Sequence, residues 1–174
     1  MDVKLGIGQA TGMFYHAPAD TALPTTLATA LPNTWVHVGD VSDQGIVLAL
    51  NKSVTNLKSW ANVIKRCILT DHSETVQAPI MDTTEESLKT VVGADNVTKS
   101  SGTINVHLSA GDLPDPEAYI FIMKDGDDMI AIGCTRGQIT AVDNVSFTPG
   151  DAIKWVPTIT GLGDGWHLIM EEGE

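Results

Sequence analysis

The residues best equipped for chemistry in this sequence are five histidines, two cysteines and a run of aspartates. His16, His37, His72, His107 and His167 would make metal ligands or a general base, but none falls at H-x-x-x-H or H-x-H spacing. Four of them lie in or beside expected strands, where a solvent-facing histidine is ordinary. Cys67 and Cys134 stand apart from any C-x-x-C pair, and both read as reduced, mostly buried thiols. Asp125-Gly126-Asp127-Asp128 offers carboxylates to a cation, yet it lacks the remaining oxygen ligands of an EF-hand loop. Its Asp-Gly reads as a hairpin tip. Gly6-Ile7-Gly8 with Gly12 approaches a phosphate-cradling loop, without the G-x-G-x-x-G spacing or a strand-to-helix setting. There is no Gly-x-Ser-x-Gly elbow. Glu85-Glu86 is explained by a helix N-terminus, where negative charge is favoured. No catalytic set, metal site or cofactor site is expected, and the chain does not read as an enzyme.

The elements that would have to position such residues belong to a single domain. The chain has 174 residues, within the ~100–200 usual for one domain, and a chain this long needs no disulfide or metal to fold. Ten Lys and Arg stand against 22 Asp and Glu, a formal net charge of −12. Phosphate is gripped by cations that displace counterions, so specific nucleic-acid binding is disfavoured. Arg66 and Arg136 are the only arginines. Met1-Asp2-Val3-Lys4-Leu5 lacks the basic-then-apolar pattern of a signal peptide. No segment nears the ~20 apolar residues that span a bilayer.

Residues 1–33 read as an extended N-terminal arm, with Pro18, Pro24 and Pro32, no sustained period, and apolar Leu5, Ile7, Met13, Phe14, Tyr15, Leu23 and Leu27. An arm of this kind needs a neighbour to cover it. Residues 34–174 read as a single β-sandwich domain or partly closed barrel. Strands are expected at 34–41 and 46–50, and a second β-rich run at 63–70 continues through 74–80. Between them Asn51 to Asn62 is a polar connection carrying Leu57 and Trp60, the latter either a lid on the core or a contact for another molecule. A single short flanking helix is expected at about residues 83–92. Its start is a Thr83–Glu86 capping box, its apolar stripe is Leu88, Val91 and Val92, and its stop is Gly93 in a left-handed conformation. The second half alternates as strands at 102–108, 119–123, 129–132, 138–146, 153–159 and 166–170.

The run Leu31-Pro32-Asn33-Thr34-Trp35-Val36-His37-Val38-Gly39-Asp40-Val41-Ser42-Asp43-Gln44-Gly45, following Ala17-Pro18 and Leu23-Pro24, is distinctive. So is the order that follows it. Leu57-Lys58-Ser59-Trp60 leads to a Thr-Glu-Glu-Ser-Leu-Lys helix closing at Val92-Gly93, then come Asn96-Val97-Thr98, Leu113-Pro114 and an acidic hairpin. From about residue 5 to about 160 the chain resembles the major tail proteins, or tail tube proteins, of long non-contractile-tailed bacteriophages.

That resemblance implies a β-sandwich with one flanking helix that forms hexameric rings. The rings would stack into a tube around a tape-measure protein, meet tail-end proteins, and pass DNA through the lumen without binding it specifically. It places the chain in the virion tail, and in the host cytoplasm during assembly, without membrane insertion. Leu5, Ile7, Met13, Phe14, Tyr15, Leu57 and Trp60 are then the candidate contacts between subunits and rings. Crowding the like charges of so acidic a chain should keep the monomer soluble at low salt and favour assembly as salt rises. Two other readings stay open. One is a stand-alone β-sandwich module binding carbohydrate or peptide on Trp60, Trp155 or Trp166. The other is the tube protein of a contractile injection system.

Overall fold

The computed structural model describes residues 4–8, 13–109 and 111–173. Gly12, Glu174 and the first three residues of the expected arm lie outside them. Among the described residues the chain is mainly β, with one short α-helix followed by a 3-10 turn, as its alternating sequence leads one to expect. Its strands are β1 (Ile7–Gly8), β2 (Phe14–Pro18), β3 (Val36–Gly39), β4 (Val47–Lys58), β5 (Ile64–Gln77), β6 (Val97–Ser100), β7 (Thr103–Val106), β8 (Glu117–Asp125), β9 (Asp128–Val142), β10 (Pro157–Gly161) and β11 (His167–Glu171). The helix α1 spans Glu85–Val92.

Nine strands form one antiparallel sheet in the order β3-β2-β8-β9-β10-β5-β4. Two short strands extend existing lines: β1 pairs β8 beyond β2, and β11 pairs β9 beyond β10. Strands β6 and β7 pair only with each other. The result is sandwich-like and not a closed barrel. β8 and β9 form the spine because Tyr119 to Met123 is a continuous buried apolar run, which suits a strand covered on both faces. Their connection, Gly126-Asp127, joins paired Asp125 and Asp128, with Gly126 at φ 61 where a side chain would be strained.

Each face of the spine has its own cover. On one face Phe14, Tyr119, Phe121, Ile139 and Ile159 pack with Leu88 and Val91 of α1 and with Val97 of the β6–β7 ribbon. Phe14 stacks on Phe121 at 4.3 Å between ring centroids. On the other face Ala17, Ala118, Ile120 and Ala131 are covered by Leu23, Leu27, Leu31 and Trp35. Residues 13–35 are therefore not a free arm. Phe14 and Ala17 point to opposite faces of a strand held between β3 and β8, and the stretch after β2 is the lid of the second face. Alternation over only five residues, followed by proline-rich coil, hides both roles in the sequence.

Other boundaries shift for local reasons. The helix cap is Thr84, whose hydroxyl accepts from the Ser87 N–H at 3.2 Å while the Ser87 hydroxyl accepts from the Thr84 N–H at 2.9 Å. Thr83 instead accepts from Trp155 Nε1 at 3.2 Å, so the expected Thr83–Glu86 box is displaced by one residue. Gly93 ends the helix at φ 92 and ψ 140, positive in φ but extended in ψ rather than left-handed helical. The strands expected at 129–132 and 138–146 merge into one fifteen-residue strand, β9, which ends at Val142 and leaves 143–146 outside it, and which serves β11 with its first part and β10 with its second.

Candidate assembly surface

The segment expected to be a polar connection is a strand. β4 runs on to Lys58 and β5 returns from Ile64, register-matched from Val47↔Gln77 to Lys58↔Ile64 with two irregularities. At ~3.4 Å per residue, twelve residues of β4 reach about 40 Å. The turn closes with Ser59 and Val63 bonded at 2.9 Å, the Asn62 N–H donating to Ser59 at 2.8 Å, and Asn62 at φ 60. Asn tolerates this left-handed position better than most residues. Only the root is held by the sheet, where Thr75 to Gln77 pair with β10. From Asn51 to Thr70 every residue except Ser59 is exposed.

A strand with both faces in water has no hydrophobic alternation to betray it, and that is why the sequence reads as coil here. What it exposes is nevertheless apolar. Val54, Leu57, Val63, Ile64, Ile68 and Leu69 are 43–56% exposed, and Trp60 at the tip is 106% exposed. Trp60 is thus no lid on its own core. A two-stranded ribbon of this length is marginal alone, and so much uncovered apolar surface marks a contact region.

The remaining contact candidates divide by burial. Leu5 and Ile7 are exposed at 57% and 54%, at the edge of β8 where Ile7 pairs Lys124. Phe14 is 0% and Met13 6% exposed, both inside their own subunit. Tyr15 is half-buried against the second face and meets His37 edge-on at 5.4 Å. Leu57 and Trp60 share the hairpin. The structure therefore groups Leu5 with Ile7 and Leu57 with Trp60, and removes Met13 and Phe14 from any outer surface. Of the tryptophans offered as a stacking platform, Trp155 is buried and Trp166 packs at 6.1 Å from Phe121, leaving Trp60.

A second surface, unrecognised in the sequence, is an open groove between α1 and residues 107–109 and 111–117. It is lined by His16, Glu86, Asp95, Asp112, Leu113, Asp115 and Glu117 among others. His16 Nδ1 meets Glu117 at 2.9 Å, and Nε2 lies 3.6 Å from Glu86. Burial opposes charge on this imidazole, but the hydrogen bond and charge of Glu117, with Glu86 behind it, outweigh it, so His16 titrates above its ordinary value. The acidic character of the groove comes from chain segments distant in sequence, which spacing alone cannot show.

The two cysteines lie in contrasting settings. Burial pushes the Cys134 thiol up to about 12, which leaves it protonated and inert. Cys67 is exposed on the hairpin. Among the described residues no three His, Cys, Asp or Glu side chains are grouped so as to hold a metal ion. No helix among them is long and apolar enough to cross a membrane.

The family described as "Phage tail tube protein" matches residues 7–166. No curated protein matches the chain. Among solved structures, the cap that terminates the tube of the anti-feeding prophage superposes with a TM-score of 0.46 and 8% identity, covering 99% of this chain and 97% of that one. A likeness that low carries no argument about function.

Proposed function

The chain belongs to the phage tail tube proteins, and on that premise we propose that its copies close into hexameric rings that stack to form the tube of the virion tail. The role is structural rather than catalytic. In this reading the tube encloses a tape-measure protein, abuts tail-end proteins and gives DNA a conduit that it does not bind specifically. Subunits would be made and assembled in the host cytoplasm. The observation that carries the proposal is the β4–β5 hairpin, an apolar ribbon that its own subunit leaves uncovered from Asn51 to Thr70. Leu57 and Trp60 on it, with Leu5 and Ile7 at the β8 edge, are the contacts proposed between subunits or rings. Negative-stain microscopy of the concentrated, purified protein should reveal rings or tubes. A chain that remains monomeric at every concentration overturns the proposal.

A further inference from the structure

The charge of this molecule is segregated. Between Asn51 and Thr70 lie Lys52, Lys58, Lys65 and Arg66 with no Asp or Glu, a formal +4. The rest of the chain holds six Lys and Arg against 22 Asp and Glu, a formal −16. The two sets of cations also differ in their partners. On the body, five of the six, Lys4, Lys89, Lys99, Arg136 and Lys154, each pair with a carboxylate of their own chain, and Lys124 is the exception among the described residues. The four hairpin cations meet no carboxylate among the described residues, and all are exposed beside apolar side chains. Such a surface repels another hairpin and complements an acidic surface with apolar ground.

The acidic surfaces of the body are not equally available. At the β8–β9 tip Asp128 is held by Lys4 and accepts from the Gly173 N–H at 2.8 Å, while Asp125 accepts from the Leu5 N–H at 2.9 Å. Glu171 is occupied by Thr26 and by the N–H groups of Leu27 and Ala28. In the groove beside α1, by contrast, Asp95, Asp112 and Asp115 are exposed, without an ion pair or side-chain hydrogen bond among the described residues. Leu113, 54% exposed, gives that groove an apolar patch.

We propose that the cationic hairpin of one copy docks in the Asp95–Asp112–Asp115 groove of a second copy. This rests on the assembly reading above and names the surface each hairpin meets. It also reverses the expectation from net charge alone: contacts between opposite charges weaken with screening, so assembly falls as salt rises.

Three chains test it by sedimentation and microscopy. The first carries Lys52→Glu, Lys58→Glu, Lys65→Glu and Arg66→Glu. The second carries Asp95→Lys, Asp112→Lys and Asp115→Lys, and the third carries both sets. All the altered side chains are exposed, so each chain should melt like the parent. The first two should need roughly tenfold or more protein to assemble, and the third should regain assembly. The second chain is the sharpest, because it reduces the formal net charge from −12 to −6, and general repulsion alone would make it assemble more readily. Parent assembly should also decline between ~0.05 and ~0.5 M salt. Tubes indifferent to both reversals, tubes that strengthen with salt, or a double set that stays dispersed would overturn the docking and leave the tube reading standing. A parent chain that never associates would overturn both.

Discussion

Phe14 and Trp60 carry the same class of side chain into opposite settings. Phe14 is wholly enclosed between Tyr119 and Phe121, whereas Trp60 stands clear of its own subunit. Phe14→Ala should therefore cost about 3–5 kcal/mol of monomer stability, as for other buried aromatics. Trp60→Ala should alter stability by less than about 0.5 kcal/mol and act on ring or tube formation instead. Chemical denaturation set beside sedimentation separates the two, and a strongly destabilised Trp60→Ala monomer would rule out the contact role. His16 supplies a pH signal. Because its folded pKa is raised, its contribution is complete below the unfolded value of ~6.5 and is lost as pH climbs through the folded value. Glu85, Asp128 and Glu171 are depressed, so their contributions are lost only toward acid, outside that window. The melting temperature should fall between about pH 6 and 8, and His16→Gln should flatten that slope. An unchanged slope in the variant would show that His16 gains nothing from Glu117 and Glu86.

At the scale of elements, the two segments that looked least structured divide the labour between them. Strand β2 is sequestered in the sheet, and residues 19–35 cover its second face. Deleting residues 1–16 should accordingly abolish cooperative melting rather than merely prevent assembly. The hairpin should behave in the opposite way. Joining Asn51 to Ser73 through Asn-Gly preserves the paired root and removes residues that are all exposed except the half-buried Ser59. The shortened chain should melt cooperatively and fail to form tubes; normal tubes from it would show the hairpin to be dispensable. What was legible in the sequence follows the same division. The β8–β9 spine and α1 were readable because burial leaves apolar runs and a capped 3.6-residue period. The distal part of β4 was not, since a ribbon solvated on both faces has no face to mark with apolar residues. The acidic groove was not either, because Asp95, Asp112 and His16 meet only after the sheet has formed.

For the whole molecule the controlling quantity is where the charge goes when copies are stacked. A ring of six would carry a formal −72, six times −12. If the hairpin cations lie between subunits, the exposed body surface of each copy is more acidic than the net charge implies. In the proposed tube, DNA moving along the lumen would have to pass without being held, and each Lys or Arg facing it would bind phosphate by releasing counterions. A carboxylate facing it repels the duplex over a screening length of ~8 Å at physiological salt. The cost is repulsion between carboxylates of neighbouring subunits, which pairing of the hairpin with the groove would offset. Acidic side chains should thus outnumber Lys and Arg on the inner wall. Lys52, Lys58, Lys65 and Arg66 should lie away from it, and the Asp125–Asp128 tip and the Glu171–Glu174 tail should lie elsewhere on the surface. A tube map at side-chain resolution decides the matter: a neutral or basic wall, or hairpin tips projecting into the lumen, would refute this distribution. If the wall is acidic, adding lysines to it should slow the passage of DNA without dissolving the tube, because the groove and the hairpin remain paired.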